Sequence, residues 1–393
     1  MTIQQLPQTK ESIDIRYLSS FGIQGYDSDN RYPQNVLRIL ARSKTGTGCL
    51  ERYKDFIEGD GIKDPIFAAM VVNRSGETLD DIHGLCASDM ATFNGAALHV
   101  NYDVFGRIVD MQQIPFESVR LLEPDEEGVV KKVAIHPDWT GKRTRNGKKL
   151  AITKDTIDFI DVFNPDPAVV KRQIEEAGGI QFYKGQVLYI SAAGNLRYPL
   201  AIYDSVLPDM STDEGISNIM LRNVRNGFMP AGIFVHYKGQ QNPDGLSSED
   251  DTTRDEPEYS EELATLQGDT NALKILDLTV TSEEDVPKFV DMSGHNYDKE
   301  FTVTEQSIVD NIYARFGQEA FLSLRRGKVG FSGQLIADAT NDYARRCAKV
   351  QRRLSRAYMQ VLRAWDPDAL PGTLPATDLE ISPITASLTN TAE

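Results

Sequence analysis

The sequence predicts a mixed α+β chain, made of two or three domains or of one elongated subunit with several regions. Three observations predict it. Near the amino end apolar residues recur at helical spacing, from Ala96 to Ile190 they alternate with period two, and from Gln334 to Ala364 there is neither proline nor glycine. That last stretch amounts to about 45 Å of continuous helix. Its apolar row (Ile336, Ala339, Tyr343, Cys347, Val350, Leu354, Ala357, Val361) steps by threes and fours, the pattern of a helix that buries one stripe. Asp366-Pro367 stops it, because proline cannot continue a helix.

In chain order, residues 1–30 are polar and expected to be loosely held. Tyr32-Pro33 opens a helix with Val36, Ile39 and Leu40 on one face. After Lys44-Thr45-Gly46-Thr47-Gly48 a second helix carries Leu50, Tyr53, Phe56 and Ile57 and stops at Gly59-Asp60-Gly61. That glycine pair is a weak phosphate-loop signal, since no Gly-Lys-Ser/Thr follows; a break between helices is its commoner meaning. Ile82 to Phe93 is a third helix, closed by Asn94-Gly95. Strands are predicted over Ala97–Tyr102, Ile108–Gln113, Val129–His136, Ala151–Phe163 and Gln186–Ser191. A hairpin over residues 141–149 turns on Asn146-Gly147, and its cations could meet phosphate or merely water.

Helical spacing returns at Ser211-Thr212-Asp213-Glu214, a capping box, with Ile216, Ile219, Met220 and Val224 as the buried stripe. Asn226 to Pro230 closes this helix, and Ala231–Tyr237 reads as a strand. Gln240 to Glu262 holds nine carboxylates against Arg254 alone and is expected to be mobile. Leu273–Val280 and Lys288–Met292 are further strands. Thr302-Val303-Thr304-Glu305 has capping-box spacing and announces a helix with Ile308, Ile312 and Phe316 in register, ended by Gly317. Residues 318–333 then form a loop in which Gly327, Gly330 and Gly333 are mixed with Phe321, Phe331, Arg325, Arg326 and Lys328.

Composition narrows the function. The 393 residues are 40% hydrophobic and 25% charged, ordinary for a globular chain, but the net charge is −16. Such an excess repels nucleic acid over most of the surface while still permitting it to slide past. Against this background residues 334–364 carry seven Lys/Arg and two Asp/Glu. Arg345, Arg346, Lys349, Arg352, Arg353 and Arg356 spread around the helical cylinder, a pattern expected of solvated faces and subunit-interface ion pairs. Cys49, Cys86 and Cys347 are too few and too far apart for a disulfide framework or a metal pair. With no leader-like start and no apolar run of about 20 residues, the expectation is a soluble protein of a reducing compartment.

The motifs of chemistry are missing. His83, His99, His136, His236 and His295 are scattered without metal-ligand spacing. Neither a nucleophile elbow, a zinc helix nor a dinucleotide fingerprint occurs. Asp158, Asp161 and Asp166 are the nearest approach to a carboxylate set; the first two fall on opposite strand faces and the third in a proline-rich turn. No catalytic residue, cofactor or metal is expected.

Two passages carry a resemblance. Arg225-Asn226-Gly227-Phe228-Met229-Pro230-Ala231-Gly232-Ile233 and Ile308-Val309-Asp310-Asn311-Ile312-Tyr313-Ala314-Arg315-Phe316-Gly317, followed by the glycine-rich loop through Phe331-Ser332-Gly333 and a long helix, resemble the portal proteins of tailed bacteriophages. The chain departs from that family at Gly317-Gln318, where many relatives have glycine-valine-proline. The resemblance implies an elongated portal-type subunit: a mixed α/β wing (1–208), a first stem helix (209–228), a small α/β clip (229–295), a second stem helix (296–316), a channel loop (317–333), a long crown helix (334–365) and a flexible tail (366–393). It implies no enzyme but a ring of identical copies, usually twelve, at one capsid vertex of the virion, assembled in the host cytoplasm. Double-stranded DNA passes through non-specifically, and the partners are the chain itself, the major capsid protein, the terminase large subunit and a head–tail adaptor, with no membrane. Arg325, Arg326, Lys328 and Phe331 would face DNA in the channel, and Tyr343, Val350, Leu354 and Val361 would form the subunit interface. The alternatives are a minor capsid or adaptor protein bound to such a ring, or a metal-dependent nucleic-acid-processing enzyme.

Overall fold

The computed structural model describes residues 17–18, 21–142, 144–145, 148–149, 151–194, 196–225, 232–237, 275–280, 297–327 and 333–386. In chain order the elements are β1 (Tyr17–Leu18), β2 (Ile23–Gln24), α1 (Tyr32–Leu40), α2 (Lys44–Glu58), α3 (Pro65–Ala68), α4 (Leu79–Phe93), β3 (Gly95–Tyr102), β4 (Ile108–Ile114), β5 (Val119–Leu121), β6 (Lys132–Ile135), β7 (Thr144–Arg145), β8 (Lys148–Lys149), β9 (Asp158–Val162), α5 (Pro167–Glu176), β10 (Gln186–Ser191), α6 (Leu207–Arg225), β11 (Gly232–Tyr237), β12 (Ile275–Val280), α7 (Tyr297–Phe316), α8 (Glu319–Arg325) and α9 (Gly333–Leu362). The chain divides into two compact units: Met1–Met210 with Val309–Glu393, and Ser211–Ile308. The second is therefore an insertion, entered through α6 and left through α7.

In the first unit a six-stranded sheet has the order β4-β3-β10-β9-β6-β5. Every pairing is antiparallel except β9 with β10, which are parallel. The α4 helix packs on β3, and α2, α4 and α9 form a helical layer. Its interior is Tyr53, Phe56 and Ile57 of α2, Ile82, Cys86 and Met90 of α4, and Tyr343, Cys347, Leu354, Tyr358 and Val361 of α9, all buried. His83 bridges the three helices, with Nδ1 3.2 Å from the Tyr358 hydroxyl and Nε2 2.9 Å from the Glu58 carbonyl. Burial holds its pKa below the ordinary imidazole value. The cysteines are all free and buried, and desolvation pushes the Cys49 and Cys347 thiols up to about 12.

Several boundaries differ from those the sequence predicts, for identifiable reasons. Ser43 caps α2 by accepting from the Gly46 amide, so Lys44–Gly48 is the helix's first turn and not a loop before it. The α4 helix starts at Leu79 on a Thr78/Asp81 capping box, an aspartate version of the usual glutamate signal. Asp166 accepts from the Ala168 amide and caps α5, a helix absent from the sequence expectations. Of the strand expected over Ala151–Phe163 only Asp158–Val162 forms. Both α6 and α7 begin before their apparent capping boxes, which lie inside the helices. On α6 Ile216 is buried as expected, whereas Met220 is exposed. The acidic segment Gln240–Glu262 and the expected strand Lys288–Met292 lie outside the described residues.

In two stretches expected to be loose, described residues are packed. Tyr26 is fully buried, stacked 4.1 Å from Tyr198 and 5.1 Å from Tyr32, and its hydroxyl donates to the Pro199 carbonyl. After α9, Asp366 accepts from Arg107 at 2.7 Å, Leu379 is buried, and Ile381 bridges Ile62. The Asp60 amide donates to the Ser382 carbonyl, and the Ser382 amide to the Gly61 carbonyl, both at 2.8 Å. Gly59, with φ of 67°, lies so close that an added Cβ would stand 2.2 Å from the Ser382 oxygen.

Asp89, half-buried on α4, accepts from Gln113 Nε2 at 2.6 Å and the Phe116 amide at 3.1 Å, fixing the corner after β4. Desolvation outweighs these bonds and pushes its pKa up to about 7. The folded state therefore holds this proton more tightly than the unfolded state. Stability falls as pH rises from about 4 to about 7, by at most about 1.4 kcal/mol per pH unit, and levels off above that. Asp89→Asn should remove this slope from denaturant-unfolding curves taken across that range; an unchanged slope would refute the assignment.

Candidate functional site

The segment from α7 into α9 is built on one turn and one glutamine. On α7, Ile308, Ile312, Tyr313 and Phe316 are buried; Phe316 stacks on Tyr203 at 5.0 Å and meets Tyr53 edge-on at 6.2 Å. Gly317 follows with φ of 69°, left-handed backbone that glycine adopts without strain. Gln318 is wholly buried. Its Nε2 donates to the Cys49 carbonyl and to the Tyr343 hydroxyl, each at 2.8 Å, and its Oε1 accepts from Arg52 at 3.0 Å. One amide thus ties α2, α9 and the turn together. In the sequence Gln318 stands out only as a departure from a family pattern; no local signal marks it as a pin.

The expected loop is shorter than its glycines imply, because residues 319–325 form α8. Phe321 lies 5.7 Å from the Tyr343 ring and 6.2 Å from Phe56, with the Arg52 guanidinium 4.8 Å over its face, and Leu322 is buried. This half of the segment is anchored. Arg325 and Arg326 are exposed; Arg325 reaches the Tyr313 hydroxyl at 3.4 Å and Arg326 pairs with Asp310 of α7 at 2.5 Å. Lys328 and Phe331 lie outside the described residues.

The long helix corrects two expectations. Tyr343, Leu354 and Val361 are 3%, 0% and 0% exposed within the subunit itself, so they fill its own core and cannot be the surface offered to a neighbour. Val350 is half-buried, and Ile336 at the start of the row is exposed. The cations, expected all round the cylinder, gather instead on one exposed stripe: Arg345, Arg346, Lys349, Arg352 and Arg356, with Arg353 half-buried beside it. The core claims the other faces because Gln351, Ser355, Tyr358, Met359 and Leu362 are buried as well.

The three aspartates do not converge on a metal site. Asp158 pairs with Lys184 at 2.7 Å, Asp161 lies 3.6 Å from Lys132, and Asp166 is the α5 cap. Among the described residues no group of three His, Cys, Asp or Glu side chains could hold a metal ion, and no helix is long and apolar enough to cross a membrane.

The chain is similar to several solved structures, each at low sequence identity. More particularly, it is similar to a chain of the neck of an empty gene transfer agent particle computed with C6 symmetry, at 15% identity and a TM-score of 0.49, over 86% of this chain and 83% of that one. A chain of the virion of the native gene transfer agent particle gives 15% identity and a TM-score of 0.47 over 85% and 81%. An HK97-family phage portal protein from Corynebacterium diphtheriae gives 10% identity and a TM-score of 0.33 over 71% and 75%. No family model matches the sequence, and no curated protein matches it.

Proposed function

We propose that the chain is the structural subunit of a phage-type portal, a closed ring at one capsid vertex through which double-stranded DNA is packaged and ejected. The observation that carries this reading is the order of parts. A separate unit, Ser211–Ile308, is entered through α6 and left through α7, and beyond Gly317, the pinned turn and the short α8 comes a 30-residue helix. A ring subunit needs such a division, with a body that packs side by side and an insertion that reaches a docking partner. The net charge of −16 fits a wall past which phosphate slides without sticking. On this reading the ring has twelve copies, resides in the virion after assembly in the host cytoplasm, carries no catalytic activity, and contacts major capsid protein, terminase and head–tail adaptor.

The residues around 325–331 are the proposed DNA-facing segment, with Arg325, Arg326 and Lys328 offering a few phosphate contacts per copy and Phe331 bulk. Summed around a ring, such contacts grip DNA without reading its bases. Replacing all three cations by alanine should leave rings intact while DNA retention falls and loses part of its salt dependence. Failure of the triple variant to form rings would show instead that this segment serves assembly.

A further inference from the structure

The exposed stripe of α9 is unusual for an acidic chain. Between Asp342 and Arg356 it carries Arg345, Arg346, Lys349, Arg352 and Arg356, and its one carboxylate, Asp342, lies 3.4 Å from Arg346. Further along, the stripe borders a concave groove of about 530 Å³, whose other wall is β10 and the turn after it. Lys349, Arg352, Arg353 and Arg356 line this groove together with Leu188 and Ser191, and none of the described lining residues is acidic. Arg356 alone of the four has an ion-pair partner among the described residues, Asp378 at 3.1 Å. Among the described residues Arg352 reaches only the Ala348 carbonyl of its own helix, at 3.4 Å.

Four cations held together on one wall of a groove repel one another, and within the subunit Asp378, paired with Arg356, is the one described carboxylate that offsets that cost. A helix under no other demand would intersperse carboxylates at positions i+3 or i+4. The groove therefore presents a fixed positive field on a molecule whose net charge is strongly negative.

We propose that this groove is the socket for a carboxylate-bearing surface of a second copy of the chain, so that the α9 stripe is the heterologous side of the ring contact. The inference rests on the portal reading and specifies which surface closes it. Charge complementarity favours a second copy, since each copy carries a net charge of −16 and the patch is dominated by cations. The same excess disfavours DNA here, because a polyanion must approach through the field of the whole chain. A heterologous patch of this kind, repeated by one rotation, generates a ring when the rotation closes.

Lys349 makes the contact testable even before the opposing carboxylate is identified. Carbodiimide joins an amine to a carboxylate only when the two touch. Rings assembled from equal amounts of nitrogen-15-labelled and unlabelled chain should give cross-linked peptides in which Lys349 on one copy is joined to Asp or Glu on a copy of the other label. In parallel, Lys349→Glu with Arg352→Glu, both at exposed positions, should weaken association by at least about tenfold with unchanged unfolding curves, as expected for close charge pairs. Rings that form equally well with both reversals, or Lys349 cross-links confined to single copies, would overturn this inference and leave the portal reading standing. A wild-type chain that never associates would overturn both. Short duplex DNA that binds wild type but not the double variant, with assembly unaffected, would reassign the groove to nucleic acid and likewise overturn it.

Discussion

Arg120→Ala should cost about 3–5 kcal/mol of stability, from the void it leaves and the hydrogen bonds it removes. Arg120 is 0% exposed. Its Nε donates to Asn30 Oδ1 at 2.6 Å, Nη1 to the Glu117 and Val119 carbonyls at 2.9 and 2.8 Å, and Nη2 to the Asn30 carbonyl and Gln34 Oε1 at 3.0 and 3.2 Å. All of these acceptors are neutral. The guanidinium also lies over the rings of Tyr26 and Trp139, at 5.5 and 5.3 Å. Burial lowers its pKa from the usual arginine value, and neighbouring tyrosines and Glu117 oppose that. Truncation would leave the Asn30 carbonyl without its donor and Asn30 Oδ1 with the Tyr26 amide alone, and would open a void among aromatic rings, two costs that add. Lysine should not rescue it, because one ammonium cannot reproduce the planar fork. Denaturant unfolding of the alanine and lysine variants checks this; a loss under about 1 kcal/mol for alanine would mean that the site is open to water.

Gln318→Leu should cost about 2–4 kcal/mol and release the start of the α7–α9 connection. The volume is nearly kept, so the effect isolates hydrogen bonding. The Tyr343 hydroxyl would lose its donor in a buried setting, while Arg52 can turn to water. Tyr343→Phe alone should cost about 1 kcal/mol, and the double variant less than the sum, since both remove the same bond. Hydrogen exchange at residues 317–325 should rise in Gln318→Leu. Unchanged exchange there, or strictly additive losses, would contradict the role of Gln318 as a pin.

Much of the fold is legible in the sequence where one signal dominates. Periodicity places α9, β3, β4 and β10 almost to the residue, because long amphipathic runs leave one choice of face. Boundaries fail where a cap uses a residue with other meanings: Ser43 before a glycine-rich turn, Asp81 in place of glutamate, and Asp166 before a proline. The site is less legible. Three glycines between residues 327 and 333 make the whole connection look loose, and nothing local reveals that Phe321 finds Phe56 and Tyr343, more than twenty residues away in either direction. The interface expectation fails for a related reason. A stripe of helical period says that one face is buried but not whether its cover is the same chain, and here α2 and α4 supply the cover. The proposed ring contact rests instead on the contrast between that covered row and the exposed cationic stripe.

The central claim is that this chain closes on itself. Native mass spectrometry of the purified wild-type protein, with particle images of the same sample, tests it most directly. The account predicts one dominant species of about twelve 43.8 kDa copies, seen end-on as a ring with a central opening, and losing mass as salt weakens the α9 contact. A strictly monomeric or dimeric species at every concentration and salt level would contradict it.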